Sequence, residues 1–332
     1  MKEYIVVMPA YNEEKLIAES LSGVLAAAES CRSDFFLRKI IVCVNGCTDN
    51  TEEALGRVAS AKPDLFSIIR SPKGYVAAMH ALMETAAKDF PECFVIKIDA
   101  DSRSQPDSFG ILLAGLSRNP RIIVAGGYPY PNRKRGSRMQ SLFTDIFWCR
   151  SFHPMSEVAV RDVSRFHPAD EMGQDKGSGL KPEWRIRSKI YFHGRFFALR
   201  AGSYWHLESC CIADDIFFAP YILTRFGPGS IRMYYDARCL YDPYVTFKHH
   251  WKVYRRIKED IDQLKGVPEY AWYLSDAALE LDWKYIRTLR ASVIVHFALY
   301  AVISSIEKIS FRYVSYHPSH WEYDHKAAKV RA

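Results

Sequence analysis

The sequence lacks the glycine-rich phosphate-binding loops of three large classes of nucleotide-binding enzymes. No G-x-G-x-x-G pattern follows the first apolar segment, which argues against a dinucleotide-dependent enzyme. No G-x-x-x-x-G-K-[ST] pattern occurs, which argues against a P-loop NTPase. The Gly-rich, Arg-bearing first loop that is usual in sugar nucleotidyltransferases is also missing. Any nucleotide site must therefore be built in another way.

Cysteine motifs and targeting signals are missing as well. The eight cysteines form no C-x-x-C pair and no zinc-finger spacing, so the sequence predicts neither a disulfide framework nor a cysteine-bound metal. Apolar residues 4–9 are too few for the core of a signal peptide and lead directly into a polar segment. We therefore expect a reducing, cytoplasmic compartment.

An apolar segment without charged residues, 291–306, is shorter than the ~20 residues that a membrane-spanning helix needs. Aromatic and basic residues on both sides of it suit a helix that lies on the inner face of a membrane. A helix of the protein core is the alternative, and the sequence does not separate the two.

Basic residues are concentrated in three clusters of a chain that otherwise has the composition of an ordinary globular protein. The chain has 48% apolar residues, 25% charged residues and a formal charge of +7, and the clusters lie at 132–138, 181–200 and 248–258. Such clusters suit phosphates and anionic lipid headgroups, whereas solvated faces of helices explain part of each. We do not expect nucleic acid to be a partner.

Short apolar segments alternate with amphipathic segments through the first third of the chain. The predicted strands are residues 4–8, 40–44, 65–69, 94–98 and 122–125, and the predicted helices are 13–31, 48–58, 74–87 and 107–116. This alternation over short connections predicts an α/β fold with a doubly wound, mostly parallel sheet. Ligands of such sheets bind at the carboxyl ends of the strands.

The pattern becomes less regular beyond residue 125. Residues 166–183 are polar and rich in Gly and Pro, which predicts a mobile loop that is ordered by a ligand. Further on, the pattern predicts a strand over 190–199, a helix over 213–226 and a strand over 230–235. From residue 246 onward it is mostly helical, so we expect a C-terminal helical extension.

Two carboxylates, Asp99 and Asp101, follow the apolar strand 94–98 with Ala100 between them. Carboxylates this close repel each other unless a proton or a cation lies between them. Mg²⁺ takes oxygen ligands and commonly uses one or two carboxylates together with the phosphates of a substrate. The pair therefore predicts a metal-bridged phosphate site, although a solvated turn can have the same sequence.

Four segments lie at the predicted strand ends, VVMPAYNEEKLIAESL at 6–21, VNGCTDNT at 44–51, SPKGYVAAM at 71–79 and IDAD at 98–101. In order and spacing they resemble glycosyltransferase family 2, whose members have the GT-A fold. Three later segments continue the resemblance in the family's order, GRFFALR at 194–200, ADD at 213–215 and HHWKVYRRI at 249–257. In total the resemblance covers roughly the first 260 residues.

The resemblance implies an inverting enzyme that uses Mg²⁺ or Mn²⁺. It would move a sugar from a nucleoside-diphosphate sugar, with a UDP-sugar as the first choice, to a glycan, a lipid-linked acceptor or a small molecule. It divides the chain into a nucleotide-sugar half at 1–130, an acceptor half at 131–245 and a helical region at 246–332. The alternatives are a nucleotidyltransferase that makes sugar nucleotides and a non-catalytic module that binds nucleotide sugars.

The resemblance also assigns residues to the donor. They are Pro9, Tyr11, Asn12, Glu13, Asn45, Asp49, Lys73, Gly74, Asp99, Ala100 and Asp101. Among these, Asp101 is expected to bind the metal, and Asp99 to contact the ribose or the metal. Asn45 stands where the family commonly has a carboxylate that reads the uracil imide, and its amide can pair with a base edge instead.

On the acceptor side the resemblance assigns catalysis to an aspartate pair. Asp215 is expected to be the base that removes the proton of the acceptor hydroxyl, with Asp214 beside it, and an N-cap at a helix start is the structural alternative. The residues assigned to the acceptor or the diphosphate are Gly194, Arg195, His249, His250 and Arg255. His250 is also a candidate metal ligand, for which a structural histidine is the alternative.

Overall fold

The computed structural model describes residues 1–132, 192–204, 214–226, 229–242 and 291–311, together with helical positions at 142, 146, 250–253, 255 and 262. The predicted loop 166–183 and His249 lie outside these residues. By their contacts, Met1–Tyr130 and Ile190–Asp242 belong to one compact unit, and the described positions between 250 and 311 belong to a second. The three-part division into 1–130, 131–245 and 246–332 stays a prediction.

An eight-stranded sheet forms the centre of the first unit, counted over the described residues. Its strands are β1 (Lys2–Ala10), β2 (Phe35–Asn45), β3 (Phe66–Ser71), β4 (Phe94–Ile98), β5 (Ser102–Ser104), β6 (Val124–Pro131), β7 (Phe196–Arg200) and β8 (Ile231–Tyr241). Their order is β3-β2-β1-β4-β7-β6-β8-β5. The neighbours from β3 to β4 are parallel, and β7 runs antiparallel between β4 and β6. The predicted α/β fold with a mostly parallel sheet is confirmed.

In the described part of the chain, five helices lie between successive strands, and a sixth follows the last strand. They are α1 (Ile17–Ser30), α2 (Thr51–Ala59), α3 (Tyr75–Asp89), α4 (Ser108–Arg118) and α5 (Asp214–Phe226) in the first unit, and α6 (Ala291–Phe311) in the second. In α1, apolar side chains recur at helical spacing, as Ile17, Leu21, Val24 and Ala28 do, and all four are buried in one core cluster with Tyr4 of β1. Because full burial of one such side chain contributes about 1.5–3 kcal/mol, this stripe fixes α1 on the sheet.

Strand β6 continues beyond the point at which the sequence predicts its end. The prediction ends the strand before Gly126 and Gly127, whereas β6 runs through both to Pro131. A Cβ atom at Gly126 would lie 2.2 Å from the sulfur of Met233, and one at Gly127 would lie 2.2 Å from Cδ1 of Phe196. Met233 and Phe196 pack directly on the strand backbone at these two positions, so a residue larger than glycine does not fit there.

Helix α1 begins four residues later than predicted, at Ile17 instead of Glu13. The backbone nitrogens of Leu16 and Ile17 both donate to the carbonyl oxygen of Glu13, at 3.0 and 2.9 Å, so residues 13–16 form a turn ahead of the helix. This turn leaves the N–H groups of Glu13 and Glu14 outside the helical ladder, where the next loop of the sheet binds them.

Helix α6 extends the predicted helix 291–306 to Phe311 and exposes a row of apolar side chains. Ile294, Val295, Leu299, Val302, Ile306 and Ile309 are between 36% and 60% exposed. Five of them, from Val295 to Ile309, recur at spacings of four and three residues and so share one face. This exposed apolar face favours a helix on the protein surface over a helix of the protein core. Within the described part of the chain, no helix is both long enough and apolar enough to cross a bilayer.

Candidate active site

The loops that follow β1 and β2 are tied together by the side chain of Asn12. Its amide oxygen accepts a hydrogen bond from the backbone nitrogen of Thr48 at 2.8 Å, and its amide nitrogen donates to Thr48 Oγ1 at 3.1 Å. Asn12 has a φ of 56°, in the left-handed region that asparagine tolerates better than most residues. The predicted donor residue Asn12 thus also joins two loops at the carboxyl edge of the sheet.

Asp49 strengthens the same link from the other loop. The N–H of Glu13 donates to Thr51 Oγ1 at 2.7 Å, and the N–H of Glu14 donates to Asp49 Oδ2 at 3.3 Å. The second oxygen of Asp49 accepts the N–H of Thr51 at 3.0 Å. Asp49 therefore connects the start of α2 to the loop after β1, and its contact with a donor stays a prediction.

Asn45, the last residue of β2, is only 5% exposed and fixes the loop after β3. Its amide oxygen accepts hydrogen bonds from the N–H of Gly74 at 2.8 Å and from Ser71 Oγ at 3.4 Å. A Cβ atom at Gly46, whose φ is +58°, would lie 2.9 Å from Cβ of Lys73. The loops after β2 and β3 therefore pack too closely for any side chain at position 46.

Tyr11 and Lys73 complete this edge. The ammonium of Lys73 lies 5.3 Å from the centroid of the Tyr11 ring, within the range of a cation–π contact. Pro9 is buried near the end of β1, while Lys73 is exposed. The loops after β1, β2 and β3 thus form one continuous surface that carries the predicted donor residues of all three.

The two aspartates lie in the turn between β4 and β5, and each is bonded to a cation. The ammonium of Lys97 donates to Asp99 Oδ1 and to the carbonyl oxygen of Gly194. The guanidinium of Arg195 donates to Asp101 Oδ1, and to Ser102 Oγ at 3.2 Å. The same guanidinium is 3.7 Å from Asp99 Oδ2. The predicted acceptor-side residue Arg195 therefore contacts the predicted metal-binding turn directly, and Gly194 is linked to it through Lys97.

Ala100, between the aspartates, anchors this turn to the helical layer. Its carbonyl oxygen accepts a hydrogen bond from Ser20 Oγ of α1 at 2.6 Å, and both residues are buried. The N–H of Asp99 donates to the carbonyl oxygen of Arg195 at 3.1 Å, which joins the turn to the start of β7. The backbone of the aspartate turn is thus held from both sides, and its side chains are positioned by a rigid scaffold.

Three carboxyl groups share this site, and their pKa values differ. Burial, and then the charge of Asp101, raise the pKa of Glu13 well above its ordinary value. Burial also raises the pKa of Asp99, although Lys97 and Arg195 oppose the shift. Burial would raise the pKa of Asp101 too, but the charge and the hydrogen bond of Arg195 outweigh it and hold this pKa below its ordinary value. Asp101 is therefore the carboxylate best suited to stay ionised.

Lys97 is a site residue that the sequence reading missed. It is fully buried in β4, and its ammonium also lies 5.1 Å from the ring centroid of Tyr75 and 5.9 Å from that of Phe197. The sequence pattern that could have identified it is a lysine inside an otherwise apolar strand, two residues before Asp99 and so on the same face. A buried lysine needs a partner, and a carboxylate at the strand end was the nearest candidate.

The predicted catalytic pair lies in helix α5. Asp214 and Asp215 are the first two residues of this helix that the structure describes, and the helix follows β7 in the chain. Their assignment as base and neighbour stays a prediction.

His250 and Arg255 belong to the second unit. The imidazole of His250 is 1% exposed, and its Nε2 is 2.7 Å from Oε1 of Glu307, a fully buried residue of α6. This contact matches the structural alternative for His250, and the metal-ligand assignment stays a prediction. Arg255 is half-buried, and its assignment to the diphosphate stays a prediction as well.

The oxygen atoms of the aspartate turn fit a hard divalent cation. Such an ion needs ionised oxygen ligands, and Mg²⁺ commonly takes only one or two carboxylates besides phosphate oxygens and water. Among the described residues, no group of three or more His, Cys, Asp or Glu side chains could hold a metal by itself. The donor set of Asp99 and Asp101 therefore fits an ion whose coordination is completed by a bound diphosphate.

Comparison with known protein families assigns the chain to one of them. The sequence profile of Glycosyl transferase family 2 matches residues 5–174, just over half of the 332 residues. The chain belongs to glycosyltransferase family 2. The match starts in β1 and includes the aspartate turn, so the family assignment covers every loop of the candidate donor site.

Two curated relatives match a shorter region. A poly-β-1,6-N-acetyl-D-glucosamine synthase of Staphylococcus aureus is 24% identical over 123 residues, which cover 37% of this chain and 27% of the relative. An uncharacterized glycosyltransferase of Escherichia coli, YaiP, is 32% identical over 127 residues, which cover 37% of this chain and 28% of the relative. The match with this family 2 chain thus spans between a quarter and a third of the length of each relative.

A solved structure of similar fold is the mannosyltransferase PcManGT from Pyrobaculum calidifontis, in complex with GDP-Man and Mn²⁺. It has a TM-score of 0.53 and 16% sequence identity, and the match covers 98% of this chain and 77% of that chain. At this identity the likeness concerns the fold alone. It bears out the GT-A-type fold predicted for this member of family 2.

Proposed function

We propose that this family 2 member is an inverting glycosyltransferase that uses Mg²⁺ or Mn²⁺. It moves a sugar from a nucleoside-diphosphate sugar to a hydroxyl group of a glycan, a lipid-linked acceptor or a small molecule. The observation that carries the proposal is the pair Asp99 and Asp101 at the carboxyl end of β4, beside the interlocked loops after β1, β2 and β3. Ligands of open α/β sheets bind at this edge.

The interlocked loops supply the donor surface in this proposal. Tyr11 and Lys73 form the exposed part, and the Lys73 ammonium is suited to the diphosphate. Asn12 and Glu13 line the base and ribose pocket beside them. Asn45 shapes the pocket through the bond between its amide oxygen and the N–H of Gly74, and its amide nitrogen is the group that would donate to a base edge. A UDP-sugar remains the first donor to test.

Asp101 holds the divalent ion in this proposal, with Asp99 as a second oxygen ligand or as the ribose contact. When bound, the ion supplies Lewis-acid stabilisation of the negative charge that develops on the leaving diphosphate. The protein holds the rest of the geometry in advance. Lys97 fixes the orientation of the Asp99 carboxylate, and the bonds of the turn to α1 and β7 fix its backbone.

Asp215 is the base in this proposal. It takes the proton of the acceptor hydroxyl while the oxygen attacks the anomeric carbon and the bond from that carbon to the diphosphate oxygen breaks. A single displacement of this kind inverts the anomeric configuration. A positioned base typically contributes a factor of about 10² to 10⁴ in rate. The position of Asp215 in α5, the helix that follows β7, supports the assignment, because β7 pairs with β4 directly before the aspartate turn.

We also propose that helix α6 contacts a membrane surface. The exposed apolar face of α6 could lie in the interface, where basic residues nearby in the sequence would bind anionic lipid headgroups. A surface helix of this kind would bring the enzyme to a lipid-linked acceptor at the inner face of the membrane.

A turnover experiment tests the function against its alternatives. The protein is incubated with Mn²⁺ and a panel of UDP- and GDP-sugars, with candidate acceptors or with water as the acceptor, and release of nucleoside diphosphate is measured. A transferase releases it from at least one donor. A nucleotidyltransferase would instead release pyrophosphate from a nucleoside triphosphate and a sugar phosphate. A binding module would bind a donor, as seen by a thermal shift, without any turnover.

A further inference from the structure

We propose that Arg195 is an internal counter-cation that occupies the Asp101 carboxylate before the donor binds and must release it for a divalent ion to bind. The proposal rests on the proposed function, because it concerns the same donor site. It starts from the observation that the guanidinium of Arg195 donates to Asp101 Oδ1 and to Ser102 Oγ. One oxygen of the carboxylate that is proposed to hold the metal is therefore already bonded to a positive charge.

The charges of the site explain why such a counter-cation is needed. Glu13, Asp99 and Asp101 interact electrostatically with one another, and burial makes each negative charge costly. Lys97 and Arg195 supply two positive charges against these three carboxyl groups. Without Arg195, the turn would hold close carboxylates facing each other in a poorly solvated place.

The two cations differ in their freedom to move. Lys97 is fully buried, lies near two aromatic rings and is bonded to the carbonyl of Gly194, so it cannot leave without opening the strand pair. Arg195 precedes β7, its side chain is 12% exposed, and its guanidinium lies against the Tyr241 ring at 4.8 Å from the centroid. Arg195 is therefore the cation that can be exchanged, whereas Lys97 is permanent.

A bound nucleotide would give the released guanidinium of Arg195 a new partner. A guanidinium forms two parallel hydrogen bonds with a phosphate group, and the diphosphate of the donor would lie at the metal. Metal alone must displace Arg195 without compensation, whereas metal with a diphosphate gives the displaced guanidinium a new partner. We therefore expect the metal and the nucleotide to bind cooperatively, and such coupling is reciprocal between the two ligands.

The test compares Mn²⁺ binding by the whole chain and two variants, measured from the free Mn²⁺ signal in electron paramagnetic resonance. Arg195→Met removes the charge and keeps the length of the aliphatic stem. Arg103→Met is the matched control, because Arg103 is also 12% exposed and pairs with two carboxylates, Glu19 at 2.9 Å and Asp242 at 3.0 Å. Each protein is titrated with Mn²⁺ alone and again with UDP present. Thermal unfolding establishes that each variant is folded.

The proposal predicts that Arg195→Met binds Mn²⁺ alone about tenfold more tightly than the natural sequence, which corresponds to about 1.4 kcal/mol. It also predicts that UDP tightens Mn²⁺ binding less in this variant, while Arg103→Met stays within about twofold in both titrations. Arg195→Lys, which keeps the charge, should retain most of the coupling, and Arg195→Gln serves if the methionine variant does not fold.

Two results of the binding experiment would overturn the proposal. One is that Arg195→Met, or Arg195→Gln in its place, binds Mn²⁺ alone no more tightly than the natural sequence. The other is an equal gain in Arg103→Met, which would assign the effect to net charge. Turnover with a chelator present separates this failure from that of the proposed function. Sugar transfer that continues without any divalent ion would contradict the role of Arg195 at a metal and leave the transferase activity standing.

Discussion

Lys97 donates a hydrogen bond to the carboxylate of Asp99, and the lysine side chain is fully buried. A buried ion pair is weak evidence of net stability, but loss of one partner is costly because the other charge stays behind. We therefore expect Lys97→Met to lower the free energy of unfolding by about 3–5 kcal/mol, measured by urea denaturation. The double variant Lys97→Met with Asp99→Asn removes both charges and should recover much of the loss. Equal instability of the single and double variants would show that packing, and not the ion pair, is what Lys97 provides.

The ionised side chain of Glu13 is predicted to destabilise the folded protein at neutral pH in the absence of ligand. Its pKa in the folded protein is raised well above the ordinary value, by burial first and by Asp101 second. A raised carboxyl pKa means that ionisation at neutral pH favours the unfolded chain, and that this cost disappears below the ordinary carboxyl pKa, where both states are protonated. Glu13→Gln should therefore raise the melting temperature at pH 7 to 8, and the gain should shrink as the pH falls toward the ordinary carboxyl range.

The neighbouring residue provides the control for this pH experiment. Glu14 lies one position further along the same turn, and its carboxylate accepts the N–H of Asn50 at 3.1 Å. Glu14→Gln keeps an oxygen acceptor at this place, so no gain in melting temperature is expected at neutral pH. A gain of the same size in both variants would assign the effect to overall charge instead of the position of Glu13 beside Asp101.

Much of the sheet was predictable because its strands are apolar and its loops are short. The predicted strand 94–98 agrees with β4, since every residue of Phe94–Ile98 is buried. Strand β5 was missed because Ser102–Ser104 has no apolar alternation, and only its pairing with β8 makes it a strand. Long-range pairing of this kind has no local signal in the sequence.

The candidate site was predictable in its composition but not in its contacts. Asp99 and Asp101 could be located because a carboxylate pair after a buried strand is a local pattern. The contact of Arg195 with Asp101 joins residues 94 positions apart, and it depends on β7 being inserted beside β4. The role of Asn45 as an acceptor for Gly74 was equally hidden, because the packing of two loops decides it.

Asp215 is predicted to be required for turnover and not for donor binding. Asp215→Asn keeps the size of the side chain but cannot accept the proton of the acceptor hydroxyl. It should lower kcat by a factor of about 10² to 10⁴ with little change in the affinity for donor and metal. Asp214→Asn is the matched control at the adjacent position. Loss of turnover in Asp214→Asn alone would reverse the two roles, and full turnover in both would mean that the base is elsewhere.

Helix α6 is predicted to bind membranes through its exposed apolar face. Liposomes that contain anionic lipid should co-sediment with the protein at low salt, and binding should weaken as salt screens the headgroup charge. Val302→Asp places a charge in the centre of the face, at a residue that is 59% exposed, and should reduce binding without unfolding the protein. Oligomers that dissociate in this variant, without any binding to liposomes, would instead mean that a second copy of the chain covers the face.

The central claim is that Asp101 binds a divalent ion that in turn holds the diphosphate of a donor. Calorimetry with UDP, in the presence and absence of Mn²⁺, measures this directly on the natural sequence and on Asp101→Ala. The account predicts that Mn²⁺ strengthens UDP binding to the natural sequence and that Asp101→Ala, although folded, loses the Mn²⁺-dependent part. Ser104→Ala, a buried position at the end of β5, should keep it. Unchanged, Mn²⁺-dependent binding of UDP by Asp101→Ala would contradict the metal assignment and the donor site built on it.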